Sequence, residues 1–535
     1  MNHWQKWAMA ILGGVALAAA LALAAVGSWP EGEALALAQG TIYVDVDATG
    51  GANDGSSWED AYTTLQPALD EAVVGDEIWV AEGTYKPTYE FTPGDPRSAT
   101  FQLKNGVALY GGFDPSVGDV GWEDRDWVNN VAILSGNIGD PDTSDDNSYH
   151  VFYHPLGLGN AVLDGVTVTG GNADGAYPHD RGGGMHNEGA SPTLRHCTFK
   201  GNGANVGGGI ANDSASGPTV TDCTFSQNEA TTGGGMANYG GSSGIVTDSR
   251  FLDNVASTGG GMLNDHSSPR VTNCLFAGNT AVSGGGIYLT YSSTKMVNCI
   301  FTGNTADSSG GGLMNDNASY PVVTNCTFSG NTGPNGGAIY DTYSATYVTN
   351  SILWGDTPNE IFVTGPELPT VSYSDVQGGY AGTGNIDLDP FLEDPAIGDV
   401  HLLPDSPCID AGSNSAPQLP TTDFEGDPRI WDGDFDGTPT ADMGADEFAY
   451  HTLALQMAGN GSGTVEQTPE GSRLEHGTVV TLTAVADPGS VFTGWSGDAA
   501  GTTNPITLTM DANKAVTATF ITYRVFLPLV VRNAP

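Results

Sequence analysis

Positively charged residues are scarce in this sequence. The 535 residues include 16 lysines and arginines against 62 aspartates and glutamates, which gives a formal net charge of −46. Proteins that bind bare phosphates present a basic stripe, so we expect no nucleic-acid partner. A strongly acidic surface favours divalent cations as ligands instead.

Cysteine is also rare, with six residues in the chain. Five of them share one position of a repeat, at Cys197, Cys223, Cys274, Cys299 and Cys326. Serine takes the same position at Ser249 and Ser351, which a disulfide framework would not readily permit. We therefore predict free, buried thiols, and Cys408 has no evident partner.

The one long apolar run lies near the start, from Ala8 to Val26. Such a run is typical of a signal peptide, and Ala36-Leu37-Ala38 offers a cleavage point. We predict residues 1–38 as a signal peptide of a secreted or cell-surface protein; a cut after Gly27 and an uncleaved anchor remain open. After its removal we expect no membrane span, because the apolar stretch Tyr523–Arg532 is too short.

Glycine is abundant, with 76 residues, and much of it lies in a repeat. A block near Cys-Thr-Phe-x-Gly-Asn, then Gly-Gly-Gly-Ile/Met-x-Asn, returns about every 25 residues. This period predicts a solenoid. Short runs rich in β-branched and aromatic residues, such as Val271–Phe276, favour strands over helices. Each copy is therefore interpreted as one turn of a parallel coil, in which equivalent side chains stack into ladders.

Two columns of the repeat predict structural ladders. A phenylalanine follows each cysteine or serine by two residues, at Phe199, Phe225, Phe251, Phe276, Phe301 and Phe328. An asparagine follows three residues later, at Asn202, Asn228, Asn254, Asn279, Asn304 and Asn331. We expect the rings to fill the interior. The amides can both donate and accept, so each can bond the turn above and the turn below.

The repeat resembles that of polymorphic outer-membrane proteins, whose marks are Phe-x-x-Asn and Gly-Gly-Ala-Ile. The second mark stands here as Gly336–Ile339. The opening, Thr41–Pro87, is similar to that of pectate-lyase-like proteins, with helical spacing over Tyr62–Ala72. These resemblances imply an all-β fold: a right-handed parallel β-helix solenoid with an N-terminal capping helix, followed by a small C-terminal β domain.

We predict five segments after the signal peptide. They are an N-terminal cap with the first coils (41–100), the parallel β-helix (101–380), an acidic closing segment (381–450), a small β module (453–521) and a tail (522–535). The β module, with Gly494-Trp495-Ser-Gly497-Asp498, resembles the divergent internalin B-repeat family. That likeness implies a spacer or an adhesive role.

Catalytic blocks of known β-helix enzymes are missing from the sequence. Those of polygalacturonases and pectate lyases have no counterpart here. The remaining candidates are His179, Asp180 and Arg181 in an inserted loop, with His186 and Asp213 nearby if the coils stack as predicted. A solvated turn is the competing interpretation of this loop.

Polar residues that follow each glycine block predict an exposed strip suited to binding sugars. Its candidate members are Asn212, Asp213, Asn238, Tyr239, Asn264, Asp265, Tyr291, Asn315, Asp316, Asp341 and Tyr343; Asn187, Glu188 and His266 occupy equivalent places. The competing interpretation is an asparagine ladder with ordinary turn residues.

One acidic loop predicts a calcium site. Asp432, Asp434 and Asp436 alternate with other residues as in the start of an EF-hand, and calcium prefers such oxygen ligands. The twelfth position is Met443 rather than glutamate, so we expect Asp442 to complete the shell, with Glu447 as an alternative. An acidic surface turn is the competing interpretation.

Three functions are consistent with the sequence. We favour a secreted or cell-surface β-helix protein that binds glycans or other cell-surface components without catalysis, as in adhesion. A polysaccharide lyase or glycoside hydrolase acting on acidic polysaccharides is the second. A purely structural stalk is the third, and the oligomeric state is left open.

Overall fold

The computed structural model describes residues 40–118, 120–157, 161–475, 477–510 and 512–523. The predicted signal peptide, residues 1–38, lies outside the described residues, as do residues 524–535 of the predicted tail. Among the described residues, no helix is both long and apolar enough to cross a membrane.

The described chain winds as a parallel coil whose strands form four sheets, here called A to D in the order in which each coil visits them. Sheet A has twelve strands: Thr41–Val44, Glu77–Ala81, Ala108–Phe113, Val162–Asp164, Thr193–Arg195, Thr219–Thr221, Ile245–Thr247, Arg270–Thr272, Lys295–Val297, Val322–Thr324, Tyr347–Thr349 and Thr370–Ser372. Sheet B has eleven: Gly83–Tyr85, Ala132–Ser135, Val166–Thr169, Thr198–Lys200, Thr224–Ser226, Arg250–Leu252, Leu275–Ala277, Ile300–Thr302, Thr327–Ser329, Ile352–Trp354 and Asp375–Val376.

The other two sheets close each coil. Sheet C has six strands: Asn172–Ala173, Gly203–Val206, Glu229–Thr232, Val255–Thr258, Thr280–Ser283 and Thr305–Ser309. Sheet D has nine: Phe152–His154, Met185–Glu188, Ile210–Asp213, Met236–Tyr239, Met262–Asp265, Ile287–Thr290, Leu313–Asp316, Ile339–Thr342 and Ile361–Thr364. Each repeat from Cys197 to Cys299 therefore contributes one strand to each of the four sheets, whereas the repeat at Cys326 reaches sheet C only through isolated bridges of Thr332.

The two predicted ladders fill the coil interior. Neighbouring rings of the phenylalanine column stack nearly parallel, with centroids 4.7 Å apart from Phe225 to Phe251 and again to Phe276. In the asparagine column the side chain of Asn254 donates to Asn279 at 2.9 Å and accepts from Asn228 at 3.0 Å. All six cysteines are buried and free, as predicted.

The glycine block sets the turn into sheet D. Gly259 has φ +66°, a left-handed conformation that favours glycine. A Cβ on Gly260 would lie 2.5 Å from the carbonyl oxygen of Gly285 in the next coil. The block thus lets adjacent coils approach at one corner, and its recurrence keeps every coil the same size.

One end and one side of the coil stack are covered. The helix Leu65–Glu71 buries Leu65, Ala68 and Leu69 against the first strands, which confirms the predicted capping helix. Along one side of the stack the acidic closing segment packs on the coils through Arg429, which is fully buried. Its guanidinium donates to Asn298 Oδ1 at 2.8 Å and to the carbonyl of Ala445 at 2.6 Å.

The remaining elements are few. Four short 3₁₀ helices occupy Pro96–Ser98, Pro115–Val117, Trp122–Asp124 and Pro395–Ile397. The closing segment holds an antiparallel pair, Leu392–Asp394 and Asp399–Leu402. The C-terminal module has its own apolar core and seven strands: Tyr450–Gly459, Gly463–Thr468, Arg473–Glu475, Val479–Ala486, Ser490–Gly497, Ile506–Thr509 and Lys514–Thr522.

Candidate functional site

The strands of sheet D point alternate side chains into the coil and out of it. The asparagines point inward: Asn187 donates to Asn212, Asn212 to Asn238 and Asn238 to Asn264, at 2.7–2.9 Å. Asn264 then donates to Thr294 Oγ1 at 3.2 Å. Sheet D therefore carries a second internal asparagine ladder.

This ladder shows that part of the predicted strip is not exposed. Besides Asp213, which is buried on the outer side of the sheet, five of its members have buried side chains: Asn212, Asn238, Asn264, Asn315 and Asp341. They bond one another or neighbouring threonines, and burial raises the pKa of Asp341 above its usual value. They cannot contact a ligand outside the coil, because they lie on the inner face of the sheet.

The other members lie on the outside, along what we call the outer edge of sheet D. It comprises Glu188, Asp213, Tyr239, Asp265 and Asp316, with Tyr291 and Tyr343 one residue beyond the strand ends. Strand register aligns Glu188 with Asp213 and Tyr239 with Asp265. Tyr291 and Tyr343 are 53% and 63% exposed, so their rings are open to a ligand.

The inserted loop, residues 174–181, covers one end of this edge. Arg181 lies with its guanidinium carbon 5.5 Å from the ring centroids of both Tyr177 and Tyr239. It also pairs with Asp213 at 3.6 Å and with Asp180 at 3.5 Å. The loop thus places one cation against two rings and two carboxylates.

His186 and Asp213 form a buried pair beneath the loop. His186 Nε2 lies 3.1 Å from Asp213 Oδ2, and the His186 side chain is fully buried. Burial raises the pKa of Asp213, but the hydrogen bond with His186 and the charge of Arg181 outweigh it, so this pKa is below its usual value. Asp213 is therefore held as a carboxylate.

Glu188 lies beside Asp213 at the same position of the neighbouring strand. Its two carboxylate oxygens accept hydrogen bonds from Tyr153 at 3.0 Å and from Tyr177 at 2.9 Å. Burial and the bond to Glu188 raise the pKa of Tyr177 to about 12, so the hydroxyl stays a donor. Adjacent strands are about 4.8 Å apart, which brings two carboxylates side by side.

His179, the remaining catalytic candidate, lies away from Asp213. Its ring stacks on Tyr149, with centroids 4.6 Å apart, and its Nδ1 lies 3.3 Å from Nε2 of His150. Burial lowers the pKa of His150 well below its usual value and also lowers that of His179. The structure thus brings Arg181, Asp180 and Asp213 together but assigns His179 to a group of histidines.

Sequence reasoning missed His150, Tyr153 and Tyr177. They lie in the irregular coils before residue 197, where no repeat column marks them. A usable signal was present, because three aromatic polar residues, His150, Tyr153 and His154, cluster in a short run directly after the acidic insertion at residues 140–147. Tyr153 shares the outward register position with His186.

In the acidic loop, the structure brings together only two of the four predicted calcium ligands. Carboxylate oxygens of Asp410, Asp432 and Asp434 lie within 4.8 Å of one another, and they are the one such group among the described residues. Asp442 is buried and instead accepts from the backbone nitrogens of Asp410 and Phe448.

The other predicted ligand, Asp436, accepts from Thr438 N within the loop. The structure therefore does not bring Asp436 and Asp442 into the group of Asp410, Asp432 and Asp434. Asp410, which sequence reasoning missed, takes the third place.

Comparisons with known proteins agree with this geometry. The family described as right handed beta helix region matches residues 156–311. The coils therefore have the fold of a right-handed parallel β-helix. Residues 325–342 match the Chlamydia polymorphic membrane protein repeat, and residues 453–523 match the divergent InlB B-repeat domain. The resemblances stated from the sequence are thereby confirmed.

Solved structures show only distant likeness to this β-helix protein. Pectate lyase Pel9A is 16% identical with a TM-score of 0.47, over 76% of this chain and 96% of that one. The mannuronan C-5 epimerase AlgE6 A-module of Azotobacter vinelandii is 12% identical with a TM-score of 0.28, over 65% and 100%. Pectin methylesterase PemA of Erwinia chrysanthemi is 12% identical with a TM-score of 0.26, over 68% and 98%. None of the curated proteins matches the chain.

Proposed function

We propose that this β-helix protein is exported and binds glycans, without cleaving them, along the outer edge of sheet D. One observation carries the proposal: the edge presents carboxylates and tyrosines on successive coils, ending at the exposed rings of Tyr291 and Tyr343. Tyrosine rings stack on the apolar faces of sugars, and carboxylates accept bonds from hydroxyls. The repeat matches support a secreted or cell-surface location.

The charge of the edge favours neutral sugars over acidic ones. Glu188, Asp213, Asp265 and Asp316 all present carboxylates, against Arg181 as the nearby cation. A polyuronate would be repelled along most of this edge. Spacing also matters, since coils repeat at about 4.8 Å and the edge can therefore follow an extended chain rather than enclose a single sugar.

A glycan array probed with the intact protein tests the proposal. We expect neutral oligosaccharides to be retained, with signal rising as the oligosaccharide lengthens. Retention of acidic polysaccharides alone would contradict the choice of ligand. An array that retains nothing would contradict glycan binding and leave the structural stalk as the better account.

The cluster beneath the inserted loop favours a second candidate function, hydrolysis of a polysaccharide. Glu188 and Asp213 occupy the same position of neighbouring strands, and retaining glycosidases use two neighbouring carboxylates, roughly 5–5.5 Å apart. New reducing ends from a neutral polysaccharide, lost in Asp213→Asn, would establish this activity. Unsaturated products from a uronate polymer would indicate a lyase instead. Release of neither product leaves the binding function.

Calcium at the acidic loop is a separate proposal. The oxygen-only group of Asp410, Asp432 and Asp434 has the ligand chemistry that calcium prefers. Calorimetric titration of the intact chain with calcium should show a binding heat that Asp434→Ala removes and Asp436→Ala retains. Equal heats from the protein and from Asp434→Ala would exclude this loop as the site.

A further inference from the structure

Three histidines converge under the inserted loop, on the outer face of sheet D. His186 comes from the strand Met185–Glu188, His150 directly precedes the strand Phe152–His154, and His179 comes from the loop. The ring centroid of His150 lies 5.4 Å from that of His179 and 5.6 Å from that of His186. We propose that these three imidazoles bind a divalent transition-metal ion such as zinc.

The separation of two of these imidazoles suits a tetrahedral ion. Two nitrogens that each lie about 2.0–2.1 Å from a tetrahedral zinc are about 3.3 Å from one another, and their ring centroids are about 5.2 Å apart. His150 Nε2 and His179 Nδ1 are 3.3 Å apart. Imidazole nitrogen is a ligand type that suits zinc, copper and nickel.

In His150 and His186, the ring nitrogen that would not bind the metal already lies beside a hydrogen-bond acceptor. His150 Nδ1 lies 3.2 Å from the carbonyl oxygen of Gly182, and His186 Nε2 lies 3.1 Å from Asp213 Oδ2. A metal-binding histidine almost always donates its second nitrogen to a carbonyl or a carboxylate. These contacts therefore leave His150 Nε2 and His186 Nδ1 as the lone-pair nitrogens.

An ordinary hydrogen bond explains only part of the cluster. It accounts for the contact between His150 and His179, but it leaves His186 Nδ1 buried without a partner. A buried polar atom without a partner costs about 1–3 kcal/mol. An ion coordinated by this nitrogen would remove the penalty.

Ion capture requires the three nitrogens to come closer together. Among the described residues, the three nitrogens do not form a group within 4.8 Å of one another. His179 is only half-buried and lies in a loop, whereas His150 and His186 are held by the sheet. The proposal does not depend on glycan binding; a bound ion would fix the loop over one end of the outer edge.

Cobalt titration of the intact, metal-stripped protein tests the proposal. With calcium present to occupy oxygen sites, we expect one equivalent of cobalt to produce the visible absorption bands of a tetrahedral nitrogen-ligated ion, and zinc to displace it. His179→Ala should weaken zinc affinity at least tenfold. Asp213→Asn, which alters the orientation of His186, should weaken it about 10–100-fold.

His266→Ala is the matched control, because His266 is an exposed histidine outside the cluster. It should leave the cobalt bands and zinc affinity unchanged. The proposal is overturned if the protein gives no tetrahedral bands, if His179→Ala leaves them unchanged, or if His266→Ala removes them to the same extent. Unchanged far-ultraviolet circular dichroism shows that a variant still folds.

Discussion

The regular coils and the irregular coils before them differ in how their buried polar atoms are paired. Among the described residues, seven buried side-chain atoms without a hydrogen-bond partner lie between residues 137 and 186, including His186 Nδ1. Two of the seven, Asp180 Oδ1 and Arg181 Nε, form an ion pair with each other at 3.5 Å. Between residues 197 and 355 there are two, Asp213 Oδ1 and Asn315 Oδ1. Buried polar groups are ordinarily paired, so the exceptions point to a place where something else binds.

This difference follows from the repeat itself. In regular coils each asparagine meets an identical asparagine above and below, so every amide finds a partner of the right geometry. The inserted loop interrupts that pattern and introduces side chains with no counterpart in the next coil. Regularity therefore stabilises the scaffold, and its interruption creates the candidate site.

The largest expected effect comes from breaking the phenylalanine ladder. Phe251 stacks between Phe225 and Phe276 and is fully buried, so Phe251→Ala should lower the free energy of unfolding by about 3–5 kcal/mol. Urea unfolding measures the loss. Val255→Ala, at a half-exposed position of the same coil, should change it by less than about 0.5 kcal/mol. Equal losses in both variants would contradict an interior ladder.

Breaking the asparagine ladder should lower the free energy of unfolding somewhat less than breaking the phenylalanine ladder. Asn254→Ala removes the acceptor of the Asn228 backbone nitrogen and the donor to the carbonyl of Phe225. Buried groups left without partners cost about 1–3 kcal/mol each. We therefore expect the free energy of unfolding to fall by about 3 kcal/mol in the same urea assay. Asn205→Ala, at an exposed position, is the control and should have little effect.

The end of the asparagine ladder should make stability depend on pH. Asp356 takes the place of asparagine there, and burial and the charge of Asp356 raise the pKa of Glu360 above its usual value. The folded state then binds more protons than the unfolded one above about pH 4.3. Stability therefore falls as the pH rises from there through the raised pKa.

Glu360→Gln, whose side chain does not titrate, should remove part of this loss of stability at neutral and alkaline pH. Urea midpoints at acidic, neutral and alkaline pH measure it. Glu229→Gln, at an exposed position, should follow the pH dependence of the unmodified protein. If the stability of Glu360→Gln shows the same pH dependence as that of the unmodified protein, Glu360 beside Asp356 does not titrate as described.

The smallest effect on stability is expected in the irregular region. Asp213→Asn keeps an acceptor for His186 and loses an ion pair with Arg181 at 3.6 Å. Such a partly exposed pair contributes about 1 kcal/mol or less. Unfolding of Asp213→Asn should therefore resemble that of the unmodified protein. A loss larger than that of Asn254→Ala would break the comparison and make this cluster structural.

The repeat made the fold predictable, and its interruption hid the site. Stacked columns fixed the interior positions of the phenylalanines and of Asn254, since like residues at a constant period must stack. The same columns misled at Asn212 and Asn264, because period alone does not say which face of a strand turns inward. His150 and Tyr153 have no column, and only the pairing of an irregular coil with the next one places Tyr153 beside His186.

One measurement tests the central claim that the outer edge of sheet D binds the ligand. It is the dissociation constant, by calorimetry, of the neutral oligosaccharide that the array retains best. With each ring contributing about 1 kcal/mol, the double variant Tyr291→Ala, Tyr343→Ala should bind about thirtyfold more weakly. Tyr347→Ala, an exposed tyrosine on sheet A, should bind normally. Unchanged affinity in the double variant, or an equal loss in Tyr347→Ala, would contradict the account.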